Sequence, residues 1–401
     1  MTEYQYALSN PWTRRLLILL AIAVLGSLAA WWFAPQPFFM AWLAACMLPW
    51  SISVGSLTLM LIVCLTGGRW GTAAWPWLAI NARLMPLVAI LFIPWMFGIS
   101  IIYPWANSDI LTQFENTENR QWLFQVPFTI GRTVFYFAVW TGLAWFATGG
   151  ASIKQLVADL PQSYEKAGEK RKIATPPEAG KSTAVAGLGL IAILLTVTWS
   201  GIDWVMSFDP FFTSTLFGAL IGVGAMLAAM SAAVAAVCFW KPLQAASVDD
   251  RAIADLSNLL LTFLMLWAYF SFAHFLIMWS GDLPEEAAFY VARKSGLWGW
   301  IAPILSMGGF LVPFMCLFSR NFKSDPTKVG TLAVSLLLVR VVELWWMVLP
   351  AARGSNATGL PWATLPATLA VAAIYVLSLW WMMTRARQLL DKARPQEIPH
   401  D

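Results

Sequence analysis

Residues 38–65 read FFMAWLAACMLPWSISVGSLTLMLIVCL, a run that contains no charged side chain. Backbone N–H and C=O groups cannot be left unpaired in hydrocarbon, so a chain crosses a bilayer as a helix of roughly 20 mostly apolar residues. The quoted run is long enough to form such a helix. It therefore predicts a transmembrane span, and the chain on either side repeats the same pattern.

Nine further apolar runs of similar length surround this one. They lie near residues 16–34, 83–104, 127–148, 184–206, 213–239, 254–280, 297–319, 328–350 and 362–383. Apolar residues make up 59% of the 401 positions and charged residues 11%, where a soluble chain would carry about a quarter. The sequence predicts an all-α membrane protein of about ten transmembrane helices. The first run lacks a convincing cleavage site before Pro35, so we interpret it as a retained span rather than a signal peptide.

The distribution of Lys and Arg predicts the orientation. With the N-terminus inside, 19 of the 25 basic residues fall in the tails and the even-numbered loops, among them Arg69 and Arg83. The opposite side holds four, at Arg120, Arg293, Lys294 and Arg353. An excess of this kind in short loops is the positive-inside signature, so both termini are expected in the cytoplasm. The net charge of +4 reflects this topology and gives no reason to expect nucleic-acid binding.

A comparison of the two halves of the chain indicates an internal repeat. Asp203 in span five and Glu343 in span nine each lie seven residues before a proline, Pro210 or Pro350. Spans three and seven both finish in an aromatic, proline-bearing exit, so spans 2–5 would repeat as spans 6–9 in the same orientation. The predicted units are a first span (1–35), a first four-helix bundle (36–210) with an inner loop at 151–183, a second bundle (211–352), and a tenth span with its tail (353–401).

Five titratable side chains lie inside the predicted spans, where a charge is costly and usually has a partner or a function. They are Arg132, Asp203, His274, Arg340 and Glu343. All five would lie in the outer half of the membrane, which suggests a proton path or a polar pocket there.

Each of these residues also has an ordinary structural explanation. Arg340 and Glu343 are three positions apart and can pair on one helix face as a self-neutralised structural pair. Asp203 has no partner in its own span, which favours a proton-handling or ligand role over a hydrogen-bonded helix end. His274 could exchange protons near neutral pH or be satisfied by a neighbouring carbonyl. Arg132 could line a polar pocket or extend towards the lipid headgroups.

Several kinds of chemistry have no support in this sequence. The two histidines are His274 and His400, and His400 lies in the terminal tail, so bis-histidine haem is not expected in this chain alone. No group of His, Cys and carboxylate residues has metal-ligand spacing, and no Walker loop or dinucleotide fingerprint occurs. Four single cysteines lie inside spans, at Cys46, Cys64, Cys238 and Cys316. We therefore predict no cofactor bound by this chain alone and no metal site.

A series of motifs runs along the chain from about residue 38 to 385. In chain order they are Gly55-Ser56-Leu57 with Leu65-Thr66-Gly67-Gly68-Arg69-Trp70-Gly71; Tyr103-Pro104-Trp105-Ala106; Asp203-Trp204-Val205-Met206-Ser207 with Asp209-Pro210; Leu266-Trp267-Ala268-Tyr269; Trp279-Ser280-Gly281-Asp282-Leu283-Pro284-Glu285-Glu286; Pro313-Phe314 with Ser319-Arg320; and Arg340-Val341-Val342-Glu343-Leu344-Trp345. Together these motifs resemble the ActF-type subunit of alternative complex III, an NrfD-like membrane protein of bacterial quinol:cytochrome c oxidoreductases.

The resemblance implies a fold and an assembly. The fold would be two four-helix bundles, spans 2–5 and 6–9, with spans one and ten at the periphery. The partners would be a second NrfD-like membrane subunit, an iron–sulfur subunit and c-type cytochrome subunits, in the bacterial inner membrane. Haem c and iron–sulfur clusters would belong to those partners, and a quinone is the one ligand that this chain could share. His274 is commonly a glutamine in the family pattern, and Glu343 is commonly an aspartate.

Three functional hypotheses follow. The leading one is a membrane subunit of a quinol-oxidising respiratory complex, in which Asp203, His274, Arg340 and Glu343 form an outer proton path. The second is a structural membrane anchor of the same complex without a proton-handling role. The third is a secondary transporter built on parallel repeats; the sequence shows no pair of spans plainly broken at mid-membrane, which such transporters use at their substrate site.

Overall fold

The computed structural model describes residues 11–106, 123–148, 183–240, 250–351 and 359–393. Within these ranges the chain is helical and forms no strand. Nine of the described helical segments are long and apolar enough to cross a membrane. The predicted fold class, an all-α membrane protein of about ten spans, is confirmed. The inner loop expected at 151–183 lies almost entirely outside the described residues.

The helices follow the predicted order of spans. They are α1 (Pro11–Phe33), α2 (Pro35–Thr66), α3 (Arg69–Arg83), α4 (Met85–Ile102), α5 (Val126–Ala147), α6 (Thr183–Trp204), α7 (Phe217–Phe239), α8 (Asp250–Gly281), α9 (Pro284–Val291), α10 (Gly296–Ile304), α11 (Val312–Phe318), α12 (Arg320–Lys323), α13 (Pro326–Val348) and α14 (Thr364–Ala393). We call the end of the molecule at which α4, α6, α8 and α13 finish the predicted outer end.

A helix that was not predicted precedes the third span. The span was predicted to start near residue 83, and α4 begins at Met85. Arg83 is the last residue of α3, which continues into α4 as a helical stretch over Trp70–Ile102. The polar residues of α3 concealed its helical character, although Trp75 and Trp77 are buried. The break between α3 and α4 lies at Leu84, because Pro86 lacks the N–H that would bond the carbonyl of Ala82.

The fourth span, α5, is a helix of 22 residues that falls outside the nine segments selected by length and hydropathy. It carries Arg132, a tyrosine and two tryptophans, whose polar atoms lower its mean hydropathy. Arg132, Tyr136 and Trp140 point into the protein, where they find hydrogen-bond partners, whereas Trp145 is exposed. The tenth helix of the prediction is therefore present, and most of the polar groups that lower its hydropathy have partners inside the bundle.

The helices pack as two groups that meet along α2 and α7. Helices α2 to α6 contact one another, as do α7, α8, α11 and α13, and the contact between α2 and α7 is the most extensive between any two helices. Gly55 of α2 lies directly against the backbone of α7, since a β-carbon built there would come within 2.6 Å of the carbonyl carbon of Ala225. Small residues allow such close approach between membrane helices. The two bundles are thus joined by a backbone crossing rather than by interdigitated large side chains.

Span eight contains a π-helical segment at its centre. Residues Leu305–Leu311 form a π-helix between α10 and α11. Within it, Gly309 lies against α8 and α13, because a β-carbon there would be 3.4 Å from the ring of Trp267 and 3.0 Å from Val339. Helix α4 begins after the break at Leu84, at the start of the predicted third span, whereas the bulge of span eight lies near its middle. These two spans are not equivalent under the predicted four-span repeat.

Helices α1 and α14 form a pair at the side of the molecule, and α14 also contacts α2. The hydroxyl of Tyr375 in α14 donates to Asn81 Oδ1 at 2.8 Å and lies 3.2 Å from the Ser53 hydroxyl. The Asn81 amide in turn donates to the carbonyl of Trp77 at 2.7 Å. This buried chain of polar groups fixes α14 against α2 and α3.

The Tyr375 hydroxyl supplies a test of that attachment. Tyr375→Phe leaves the Asn81 oxygen without its donor, so we expect the free energy of unfolding to fall by about 1–2 kcal/mol. Thermal unfolding in a single detergent measures the change. Tyr269→Phe is the matched control, because the Tyr269 side chain is largely exposed and its variant should unfold like the wild-type protein. Equal stability of all three proteins would show that the bond contributes nothing.

Candidate functional site

Asp203 and Arg132 form a two-pronged ion pair inside the first bundle. Arg132 on the second turn of α5 donates from Nε to Asp203 Oδ2 at 2.9 Å and from Nη2 to Oδ1 at 2.7 Å. Asp203 is 5% exposed near the end of α6. The arginine fork matches a carboxylate in this geometry, which is the strongest kind of side-chain hydrogen bonding. Asp203 therefore has its partner in a different span, and Arg132 pairs with it instead of extending towards the headgroups.

Further donors surround the same carboxylate. The hydroxyl of Tyr136, one turn after Arg132, donates to Asp203 Oδ2 at 2.8 Å. Arg132 Nη2 also donates to the carbonyl of Leu123 at 3.0 Å, just before α5 begins. Asp203 thus accepts three hydrogen bonds from two side chains, as expected of an ionised carboxylate in a bundle.

An aromatic cluster encloses this pair on its inner side. Trp204, the residue after Asp203, donates from its ring nitrogen to Thr133 at 3.1 Å, and its carbonyl accepts from the Tyr103 hydroxyl at 2.7 Å. The rings of Trp50 and Phe92 lie 5.3 and 4.6 Å from that of Trp204. Large rings around the ion pair exclude water, so its charges interact in a medium of low dielectric constant.

A second buried ion pair lies in the other bundle. Arg340 and Glu343 contact each other directly on one face of α13, as the three-residue spacing predicted. The ring nitrogen of Trp267 on α8 donates to Glu343 Oε1 at 2.9 Å. Glu343 is 4% exposed and Arg340 is 2% exposed. Each bundle therefore buries one Arg–carboxylate pair with an aromatic donor, and the carboxylates are the two that the repeat had related.

The two pairs differ in how completely the arginine is satisfied. The guanidinium of Arg340 lies against α7 at Gly224, where a β-carbon would come within 2.6 Å of Nη1. The Arg340 nitrogens form an ion pair with Glu343 but donate no well-aligned hydrogen bond to any described residue. In the first pair, Arg132 Nη1 alone has no such bond. The guanidinium of Arg340 is thus enclosed between Glu343 and the backbone of α7, with fewer hydrogen bonds than that of Arg132.

His274 lies apart from both ion pairs. It is 1% exposed on α8, and its Nδ1 is 2.7 Å from the hydroxyl of Tyr290 on α9. Its Nε2 has no hydrogen-bond partner among the described residues. The imidazole faces a cavity of about 350 Å³ at the predicted outer end. A hydroxyl rather than a backbone carbonyl satisfies the histidine, and only one of its two nitrogens is satisfied.

Arg293, predicted in an outer loop, lies in the turn between α9 and α10 and is buried beside this histidine. Its guanidinium donates to the carbonyls of Trp346 and Met347 at 2.8 and 2.6 Å, in the last turn of α13, and to that of Phe289. Helix C-termini carry unpaired carbonyls and partial negative charge, which a cation stabilises. Burial lowers the pKa of Arg293 to about 9, which leaves it charged at neutral pH.

The five predicted site residues therefore occupy three clusters. Asp203 lies with Arg132, Arg340 lies with Glu343, and His274 lies with Tyr290. Among the described residues no hydrogen bond links one cluster to another, so the single continuous path predicted from the sequence is not formed by side chains alone. All three clusters nevertheless lie towards the predicted outer end, as expected from their positions in the spans.

Four contributors were not recognised in the sequence. They are Tyr136, Trp267, Tyr290 and Arg293. Tyr136 and Trp267 belong to a chain with 25 tryptophans and eight tyrosines, so nothing local distinguishes a hydrogen-bonding ring from a packing ring. A signal was available for Tyr136, which lies four residues after Arg132 and hence on the same helix face.

Comparison of the chain with protein-family models gave no match, and comparison with curated proteins gave none either.

Proposed function

We propose that this integral membrane protein is a subunit of a quinol-oxidising respiratory complex in the bacterial inner membrane. Its partners would be a second NrfD-like membrane subunit, an iron–sulfur subunit and c-type cytochromes, with the quinol oxidised on the outer side. Both termini would lie in the cytoplasm. The chain would then contribute to an oxidoreductase without being catalytic alone.

One observation carries this proposal. Three charged residues of the motifs that resemble the ActF-type subunit, Asp203, Arg340 and Glu343, are among the four that the two bundles bury in ion pairs. Burying a charge pair in a membrane protein is costly and, without a function, is usually replaced by apolar packing. That the motif positions and the buried charges coincide supports a functional origin for the motifs.

Within this assembly the buried carboxylates, Asp203 and Glu343, could have either of two roles. In the first, Glu343 and His274 exchange protons released at quinol oxidation, with water linking their clusters, and Asp203 sets the local charge. In the second, both ion pairs only hold the bundles in the form that the partner subunits recognise. Glu343 pairs with Arg340 and accepts from Trp267, contacts that either role would require, so substitution is needed to separate the two roles.

Affinity purification through a tag on this chain tests the assembly. In mild detergent, we expect c-type cytochromes, an iron–sulfur protein and a second membrane subunit of this kind to be recovered, identified by mass spectrometry and haem staining. Recovery of the chain alone, stable and colourless, would contradict the proposal and favour the transporter hypothesis. Substrate uptake by the reconstituted chain alone would then support that hypothesis directly.

Substitution of Glu343 separates the two roles. If Glu343 carries protons, Glu343→Gln should abolish proton release coupled to quinol oxidation, measured with a pH-sensitive dye in proteoliposomes of the whole complex. Glu343→Asp keeps a carboxylate beside Arg340 and should retain most of the coupling. If the pair is only structural, both variants would alter the yield of complex while coupling per complex stays unchanged.

A further inference from the structure

The cavity beside His274 opens between the two bundles at the predicted outer end. Its walls come from α6, the connection from α6 to α7, α8 and α9, and its volume is about 350 Å³. The polar lining residues are Thr198, Thr213, Ser214, Thr215, His274 and Glu286. A buried imidazole, four hydroxyls and a carboxylate around one space make an unusually polar site for a membrane bundle.

His274 supplies this cavity with a hydrogen-bond donor, the N–H group at Nε2. A phenol and an imidazole can each donate or accept across the 2.7 Å contact of Tyr290 with His274 Nδ1; we assign the phenol O–H as the donor, because a phenol is a stronger acid than a neutral imidazole. In this neutral tautomer Nε2 carries the hydrogen. That N–H is buried and has no acceptor among the described residues, which is costly unless a bound molecule supplies one.

The rest of the lining sets the charge and polarity of such a molecule. Glu286 would repel an anion, and Arg293 already donates to three backbone carbonyls, so the part of the chain that the structure describes offers the cavity no free cation to attract one. Ile202, Met206 and Ile277 also line the cavity, and Ile277 is 50% exposed towards the surrounding membrane. The site therefore suits a neutral molecule with an oxygen-bearing head and an apolar body that enters from the bilayer.

We propose that this cavity binds the carbonyl-bearing head of a neutral membrane-soluble molecule, whose carbonyl oxygen accepts a hydrogen bond from His274 Nε2. Two sources share this chemistry: the ring of a quinone and the ester carbonyl of a glycerolipid. The hydroxyls of Thr213 to Thr215 can hold the remaining oxygens of either head. The inference rests on the cavity and stands whether or not the chain belongs to a respiratory complex.

Imidazole nitrogen-15 NMR tests this proposal, because the chain has only two histidines. In a His400→Gln background, the Nε2–H signal of His274 is the one that disappears when His274→Gln is introduced, whatever histidines the accompanying subunits carry. The full chain, with whatever subunits accompany it, is placed in nanodiscs of ester-linked or ether-linked phosphatidylcholine, with and without decylubiquinone. A saturable shift with decylubiquinone in both lipids supports a quinone head. A shift between the ester and ether lipids without quinone supports a lipid ester.

Two neighbouring residues on α8 provide matched variants. Ile277→Trp fills the cavity and should abolish whichever shift is seen. Leu276→Trp changes an equally exposed residue that does not line the cavity and should leave the shift intact. A His274 signal that is the same in all four samples would overturn the proposal and mean that water alone occupies the site. So would a shift that persists in Ile277→Trp. Co-purification of partner subunits is independent of both results.

Discussion

Arg132→Gln should lower the free energy of unfolding by about 3–5 kcal/mol, because it leaves the carboxylate of Asp203 buried without its counter-charge. Asp203→Asn should cost a similar amount for the converse reason, since the guanidinium of Arg132 would then be unpaired. Both variants are expected to show markedly lower thermal stability in detergent and lower yield. A loss of activity in either single variant would therefore not by itself establish a proton-handling role.

The double variant Arg132→Gln/Asp203→Asn tests how much of the lost stability comes from leaving one charge unpaired. Its two neutral amides can hydrogen-bond in the same space, so a large part of the lost stability should return. A double-mutant cycle on unfolding midpoints measures the coupling, expected at about 2–3 kcal/mol in favour of the paired charges. Two additive single effects would show that the ion pair contributes no coupling.

An exposed ion pair in the same chain is the control. Asp325 lies just before α13 and Lys328 lies in its first turn. Their charged groups are 3.1 Å apart, and both side chains are well exposed. Lys328→Gln should change stability by less than about 1 kcal/mol, because water screens surface pairs. If Arg132→Gln lowered the free energy of unfolding no more than Lys328→Gln does, the buried ion pair would not stabilise the protein as predicted.

Gly55→Ala should disrupt the crossing of α2 and α7. The added methyl would lie within 2.6 Å of the carbonyl carbon of Ala225 and 2.8 Å of the β-carbon of Ala229. Backbone cannot move aside as a flexible side chain can, so the helices must separate. Overpacking of this kind costs about 1–3 kcal/mol or more, and this contact joins the two bundles. We expect a lower unfolding temperature and a larger fraction of aggregated protein in size-exclusion chromatography.

Gly142→Ala on α5 is the matched control. A β-carbon at Gly142 would meet nothing within 4 Å, and alanine is the better helix former. Its stability should equal or slightly exceed that of the wild-type protein. Equal behaviour of the two variants would mean that α2 and α7 adjust to the extra methyl without cost.

The sequence by itself determined the spans and one of the ion pairs. Long apolar runs predict membrane helices because unpaired backbone cannot be left in hydrocarbon, and these runs placed nearly every helix of the described chain. Arg340 and Glu343 could be paired in advance because three residues bring side chains to one face of a helix. The same local argument failed at α3, where polar residues on a buried helix hid its start.

Only the tertiary structure decided which side chains meet between helices. Asp203 finds Arg132 across 71 positions of sequence, Glu343 finds Trp267 across 76, and Tyr375 finds Asn81 across 294. Such pairs depend on how each helix is rotated and how deep it lies, and these are set by packing contacts such as that of Gly55 with α7. The periodicity of a single helix contains no information on its neighbours. Packing therefore separated His274 from the carboxylates that the sequence had grouped with it.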